Sequence, residues 1–211
     1  MSQNNNSNNN GKAGSAFPVR KMMVTAVMTA VSVVLMMPFL EFSIPIMPAF
    51  LKLDVSDLPA LMTSFALGPL YGGLVCLLKN LIHLAMSSTL GVGELSNFLL
   101  GVFFVVPAGL IYKKLRTKKG AVLGAFAGDL VMALICWPVN FLLIYPLYEI
   151  VVGYNREAIL GMYQAILPSV KSLGAAIAIF NIPFTFVKGL LSVVITLLIY
   201  KPLSPLLHGR R

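Results

Sequence analysis

The chain has 211 residues, of which 58% are hydrophobic and only 11% are charged, and its mean hydropathy is +0.87. Soluble domains carry about 25% charged residues, so this composition excludes a soluble globular protein and predicts an integral membrane protein. The net charge of +9 reflects membrane topology and contact with anionic lipid, and it gives no support to nucleic-acid binding.

The N-terminal residues 1–17 are rich in Asn, Ser and Gly and lack the apolar side chains that a folded segment buries, which predicts a disordered tail. After Arg20 an apolar run reaches Leu40 with no small-residue cleavage site, so it is interpreted as a retained first helix and not as a signal peptide. A single membrane domain is expected over 18–205, followed by a basic cytoplasmic tail over 206–211.

The apolar runs predict an all-α membrane protein with six transmembrane helices, judged against the roughly 20 residues that cross a bilayer. The predicted ranges are 20–40, 57–70, 71–87, 95–114, 119–148 and 175–201. The second and third ranges are short and are separated by Gly68 and Pro69, so a single broken hydrophobic hairpin is an alternative to two full spans.

Basic residues predict the orientation, because cytoplasmic loops are enriched in Lys and Arg. Under the six-helix prediction, eleven basic residues fall on one side: Lys12, Arg20, Lys21, Lys113, Lys114, Arg116, Lys118, Lys119, Lys201, Arg210 and Arg211. Both termini are therefore expected in the cytoplasm. The acidic residues map to the outer side, with Asp129 as the exception inside a span, where a local structural role is expected.

The segment ahead of the second helix places three charged side chains, Lys52, Asp54 and Asp57, at the entrance of an apolar region. Lipid cannot solvate such groups, so each must pair, face water or face a ligand. Asp57, followed by Pro59, is predicted to be the N-cap of the second helix.

Polar residues inside the last two spans predict a pocket that opens to the outer side, covered by the loop 41–56. Asn140, Asn181 and Lys188 are its candidate polar groups, because membrane bundles turn such side chains toward a partner, water or a ligand. An alternative for the two asparagines is that they satisfy backbone carbonyls freed by nearby prolines. The candidate rim residue is Asn97, and the candidate apolar walls are Phe42, Met47, Phe50, Leu51, Trp137, Phe141 and Phe184.

Several short motifs occur in a fixed order: FLKLDVSDLPAL (50–61), FALGPLYGG (65–73), LLKNLIHL (77–84), GVGELSNFLLG (91–101) and NIPFTFVKG (181–189). Together they resemble the riboflavin-binding S components, of the RibU type, of energy-coupling factor (ECF) vitamin transporters. The resemblance extends over nearly all of residues 18–205. It implies that Lys188, within the last motif, is the foremost candidate for a ligand contact.

The resemblance also implies partners. In S components an alanine motif in the first helix docks a shared transmembrane T subunit, and here Ala26 and Ala30 have that spacing. Two cytoplasmic ATPase subunits would supply the energy for delivering riboflavin into a prokaryotic cell through the plasma membrane. Riboflavin would be the transported substrate, and no cofactor is expected.

The chain has no phosphate-binding loop, no HExxH and no GxSxG motif, so neither enzymatic activity nor a metal site is expected. Cys76 and Cys136 lie in apolar runs and are expected to form no disulfide. Two alternatives remain open at this level. One is an S component for FMN or another vitamin, with Lys52 or Lys171 near the phosphate, and the other is an independent ion-coupled transporter or a membrane scaffold without a ligand.

Overall fold

A computed structural model describes the backbone of residues 19–208 and the side-chain surroundings of residues 19–199. The predicted N-terminal tail, 1–17, lies outside the described residues. The last helix continues through His208, so the first residues of the predicted tail 206–211 are helical, and 209–211 lie outside the described residues.

The elements follow one another as a string of helices interrupted by a short hairpin. The helices are α1 (Val19–Leu35), α2 (Asp57–Leu67), α3 (Pro69–His83), α4 (Val92–Leu115), α5 (Lys118–Val139), α6 (Tyr145–Leu147), α7 (Arg156–Gln164), α8 (Leu173–Ala176) and α9 (Ile182–His208). A 3-10 turn (Leu84–Met86) follows α3, and π-helical segments at Asn140–Ile144, Tyr148–Val152 and Ile177–Asn181 flank α6 and join α8 to α9. Two strands, β1 (Phe42–Ser43) and β2 (Lys52–Leu53), pair antiparallel.

Each of the six predicted ranges contains a helix, but three local features differ from the prediction. The loop 41–56 folds back on itself as the β1–β2 hairpin. The first helix ends at Leu35 and not at Leu40, because the chain turns before Pro38, whose ring disfavours helical geometry in the preceding residue. The helix α7 was not predicted, because its mixed polar and apolar composition resembles a loop.

Among the described residues, four helices are long and apolar enough to cross a membrane. They are Pro69–Met86, Val92–Leu115, Lys118–Val152 and Leu173–Ile199. The helices α1 and α2 are shorter, with 17 and 11 described residues. The protein is thus a helical membrane protein.

Glycines let α4 and α5 pack closely. On α5, Gly120, Gly124 and Gly128 follow one another at four-residue spacing and are all buried, which places them on one face of the helix. A Cβ atom at Gly124 would lie 2.6 Å from the backbone oxygen of Ala108 on α4. The backbones of α4 and α5 therefore approach each other closely, as small residues allow between membrane helices.

We expect Gly124→Ala to destabilise the protein by about 1–3 kcal/mol, because the added methyl group forces α4 and α5 apart. The matched control is Gly161→Ala on α7, where an added Cβ meets nothing within 4 Å. Thermal unfolding of both variants in the same detergent checks this. Equal midpoints for the two variants would contradict the tight contact.

Candidate functional site

The cavity that the prediction requires lies under the loop 41–56, between α4, α5 and α9. Its volume is about 140 Å³. Nine of the predicted site residues line it: Phe50, Leu51, Lys52, Asp54, Asn97, Asn140, Asn181, Phe184 and Lys188. Residues far apart in sequence, from the first loop to the last helix, are therefore brought to one place.

Four predicted wall residues lie outside the lining. Trp137 stacks on Phe141 with ring centroids 5.0 Å apart, and its indole nitrogen donates to the backbone oxygen of Gly174 at 3.0 Å. The cavity is lined instead by Cys136, from the last turn of α5, and by Asn140, at the start of the π-helical segment that follows. The other two are Met47, which packs into the outer cluster around Tyr145, and Phe42, which is exposed.

A buried ion pair joins the last helix to the covering loop. Lys188 Nζ donates to Asp54 Oδ2 at 2.7 Å and to Asn97 Oδ1 at 3.1 Å. The side chain of Asp54 is only 4% exposed, so removal of either partner would leave a poorly solvated charge. An ammonium group has three N–H donors, and one remains for a ligand after these two contacts. The partner of Lys188 is therefore Asp54 and not Asp129.

Asp54 stays ionised because of its two lysine neighbours. Burial by itself raises the pKa of its carboxyl, but Lys188 and Lys79 more than offset this, and the pKa falls from 3.8 to about 2. A carboxyl with a lowered pKa contributes stability that is fully present above its unfolded pKa, and that is lost as the pH falls through the folded value. The stabilisation from this contact should thus be complete from about pH 4 to neutral pH, and it should be lost as the pH falls toward about 2.

A second buried ion pair lies directly behind the first. Lys79 is 0% exposed, and its Nζ donates to Asp57 Oδ1 and to Ser56 Oγ, both at 2.6 Å. Ser56 is the N-cap of α2, and no side-chain bond caps this helix. The prediction that Asp57 is the N-cap was wrong, because Asp57 is the first residue of α2 and its carboxylate is paired with Lys79.

The end of α3 and the first turn of α4 contribute further polar groups to the cavity. His83 Nδ1 lies 2.9 Å from Glu94 Oε1, and Ser87 Oγ donates to Glu94 Oε2 at 2.7 Å. Both His83 and Glu94 line the cavity. Lys79, Asn80 and His83 are all buried on α3, and their spacing in the sequence indicates a shared polar face but not these partners.

The two asparagines occur at irregular points of their helices. Asn140 begins one π-helical segment and Asn181 ends another, next to Pro138 and Pro183, which lack the N–H groups that regular helices require. The amide nitrogen of Asn140 donates to the backbone oxygen of Cys136 at 2.8 Å. That oxygen also accepts from the backbone N–H of Asn140, whereas the carbonyl left free by Pro138 is that of Leu134, four residues earlier. Asn181 instead bonds to two tyrosine hydroxyls.

Other expectations concern single residues. Cys76 and Cys136 are free and buried. Asp129 is fully buried against Gly189, and neither of its carboxylate oxygens has a hydrogen-bond partner among the described residues.

Ala26 and Ala30 are exposed on α1. No group of three or more His, Cys, Asp or Glu side chains in the described part of the chain could hold a metal ion.

These features define a membrane-embedded helical protein with a polar cavity, and comparison with known proteins identifies the family. The family model described as "ECF transporter, substrate-specific component" matches residues 20–200. A solved S component of a bacterial ECF transporter superimposes with a TM-score of 0.70 at 30% identity, covering 92% of this chain and 99% of that one. The chain therefore belongs to the family of ECF transporter substrate-specific components.

Two riboflavin transporters are similar to this chain over nearly their full length. The riboflavin transporter RibU of Staphylococcus aureus (strain TCH60) is 30% identical over 185 residues, which are 88% of this chain and 90% of that protein. The riboflavin transporter FmnP of Bacillus subtilis (strain 168) is 29% identical over 196 residues, which are 92% of this chain and 96% of that protein. Members of this family are components of transporters and not enzymes.

Proposed function

We propose that this protein captures riboflavin at the outer face of a prokaryotic plasma membrane and delivers it inward as the S subunit of an ECF importer. The observation that carries the proposal is the convergence of Lys188, Asn97, Asn140 and Asn181 on one cavity. In this proposal six helices span the membrane, both termini are cytoplasmic, and riboflavin is cargo and not a cofactor.

The chemistry of the lining suits a flat, neutral ligand with polar edges. Riboflavin carries ring carbonyls that accept hydrogen bonds, a ring N–H that donates one, and a ribityl chain of hydroxyl groups. The ammonium of Lys188 and the amides of Asn97 and Asn140 provide complementary donors and acceptors. Phe50 and Phe184 line the same cavity and supply apolar surface for the ring.

The cavity must widen to take this ligand. Its volume of about 140 Å³ is below the roughly 300–1,000 Å³ of pockets that hold drug-sized ligands. The loop 41–56 is the segment that can move, because it contributes only short strands. Among residues whose side chains the structure describes, its one ion pair with α9 is that of Asp54 with Lys188. We infer that binding shifts this loop away from the floor of the cavity.

The charges of the lining favour riboflavin over FMN. Four carboxylates line the cavity, from Glu41, Asp54, Asp57 and Glu94. Lys52, which was considered for a phosphate contact, is paired with Glu41 at 2.7 Å, and Lys171 is exposed and outside the lining. A phosphate group with nearly two negative charges would therefore meet mainly carboxylates.

The proposed partners are a T subunit and two cytoplasmic ATPases. Ala26 and Ala30 lie on the exposed face of α1, while Thr25, Thr29 and Ser32 face the bundle. Small residues on an exposed membrane helix allow another helix to approach closely. We propose that this face of α1 contacts the T subunit.

Uptake of labelled riboflavin by a host that lacks its own riboflavin transport tests this function. We expect uptake only when the T subunit and both ATPases are expressed with this protein, and we expect excess unlabelled FMN to compete weakly. Uptake by the protein alone would favour the independent transporter considered above. Strong competition by FMN would favour FMN as the substrate.

A further inference from the structure

A closed set of hydrogen bonds surrounds Asn181 at the edge of the cavity. Tyr163 Oη donates to Asn181 Oδ1 at 2.7 Å, and Asn181 Nδ2 donates to Tyr145 Oη at 2.8 Å. The hydroxyls of Tyr145 and Tyr163 are also hydrogen-bonded to each other. All three residues are at most 1% exposed. We refer to Tyr145, Tyr163 and Asn181 as the tyrosine–amide ring.

The donors in this ring can be assigned by counting hydrogens. Each tyrosine hydroxyl has one hydrogen, and that of Tyr163 goes to Asn181. The hydrogen of Tyr145 is therefore left for the oxygen of Tyr163. Every group of the ring then donates once and accepts once within it, and Asn181 keeps one N–H and one lone pair of Oδ1 for another partner.

Aromatic neighbours pack around the tyrosine–amide ring and exclude water from it. Tyr163 comes from α7, outside the spans, and packs against Phe180 with ring centroids 5.3 Å apart. Phe50 from the covering loop contacts Tyr145 and Tyr163 in edge arrangements at 6.3 and 6.1 Å. Burial raises the pKa of the Tyr163 hydroxyl above its ordinary range, so this group remains a neutral donor at physiological pH.

We propose that Tyr145 and Tyr163 are positioning residues that hold the Asn181 amide in one plane, so that its remaining N–H and lone pair are presented to the polar edge of the ligand's ring. This inference rests on the proposed function and names the residues that set the polar specificity of the same site. Tyr163 does not line the cavity, so it acts through Asn181. The entropic cost of ordering this amide is met before the ligand arrives, which increases affinity.

The test uses the full-length protein in lipid nanodiscs and riboflavin as the probe. We expect Tyr163→Phe to weaken riboflavin binding by about tenfold, because it leaves Asn181 Oδ1 without its donor. In an Asn181→Ala background the same change should weaken binding by less than about twofold, because residues that act through one another are not additive. The ring-carbonyl stretching bands of bound riboflavin should shift in Tyr163→Phe, as measured by Raman spectroscopy.

Two further variants keep the test interpretable. Tyr145→Phe removes the other hydroxyl of the ring and should give the same pattern, so it serves if Tyr163→Phe does not fold. Tyr154→Phe removes a hydroxyl from a side chain that is 42% exposed and lies outside the lining, and it should leave both affinity and spectrum unchanged.

The outcomes separate this inference from the proposed function. Absence of riboflavin binding by the wild-type protein overturns the proposed function. Wild-type binding that Tyr163→Phe and Tyr145→Phe leave unaltered overturns only the positioning role. Equal losses with and without the Asn181 amide also overturn it, because the tyrosines would then act independently of Asn181.

Discussion

Replacement of Lys188 with methionine is expected to weaken riboflavin binding by about 10- to 100-fold, which corresponds to the roughly 1.5–3 kcal/mol of a hydrogen bond to a charged group. Methionine keeps the unbranched apolar stem of the side chain as far as Cε and removes its donors. The variant loses the N–H that is free to reach a ligand, together with the contacts to Asp54 and Asn97. Equilibrium titration of riboflavin against wild type and variant measures the difference.

This change also leaves Asp54 buried without its nearest cation, so a loss of stability must be separated from a loss of binding. The double variant Lys188→Met/Asp54→Asn has no unpaired charge at this point and should recover the unfolding temperature without recovering affinity. Lys171→Met, in an exposed segment outside the lining, is the matched control. If Lys188→Met keeps wild-type affinity, the assigned contact is wrong.

Replacement of Lys79 with methionine is expected to lower the free energy of unfolding by about 3–5 kcal/mol, because it leaves the buried carboxylate of Asp57 without a counter-charge. Lys79 is completely buried and contacts both Asp57 and Ser56. The pair anchors the start of α2 to α3 immediately behind Asp54. Chemical or thermal unfolding in detergent checks the expected loss.

A double-mutant cycle shows whether the lost stability comes from the unpaired charge. Lys79→Met/Asp57→Asn removes both charges and should recover most of the loss, since replacing both members of a buried pair is far less costly than replacing one. Lys113→Met, at an exposed position of α4, should be nearly neutral. A Lys79→Met variant as stable as wild type would show that the buried pair contributes little.

The local patterns of the sequence were sufficient to predict a helix in each of six ranges, though not α7, and nine of the residues that line the cavity. Lys188, Asn140 and Asn181 stand out because a membrane span offers so few reasons for an amide or an ammonium group. The loop motif around Asp54 indicated charges that needed partners. Helical periodicity and the cost of burying charge are local properties, and they can be evaluated from short windows of sequence.

Pairings across the fold could not be predicted in the same way. Lys188 and Asp54 are 134 positions apart, and either Asp54 or Asp129 could have met the same need for a counter-charge. Lys79 is likewise paired with Asp57, 22 positions away, and nothing in its own helix indicates that Asp57 lies opposite it.

The aromatic walls show a related limit. Trp137 and Phe141 were predicted as candidate apolar walls, but the residues of this region that line the cavity are Cys136 and Asn140. The irregular segment that begins at Asn140 changes the angular spacing of the residues that follow, so regular helical spacing is unreliable there. Tyr163 was missed because it reaches the site from α7, a segment that composition alone assigns to a loop.

The most direct measurement of the central claim is an equilibrium titration of riboflavin into purified, flavin-free protein. The cavity beneath the loop 41–56 predicts saturable binding of one riboflavin molecule per chain, with weaker binding of FMN. Absence of saturable riboflavin binding by folded protein, or binding that survives unchanged in Lys188→Met, Asn140→Ala and Asn181→Ala, would contradict it.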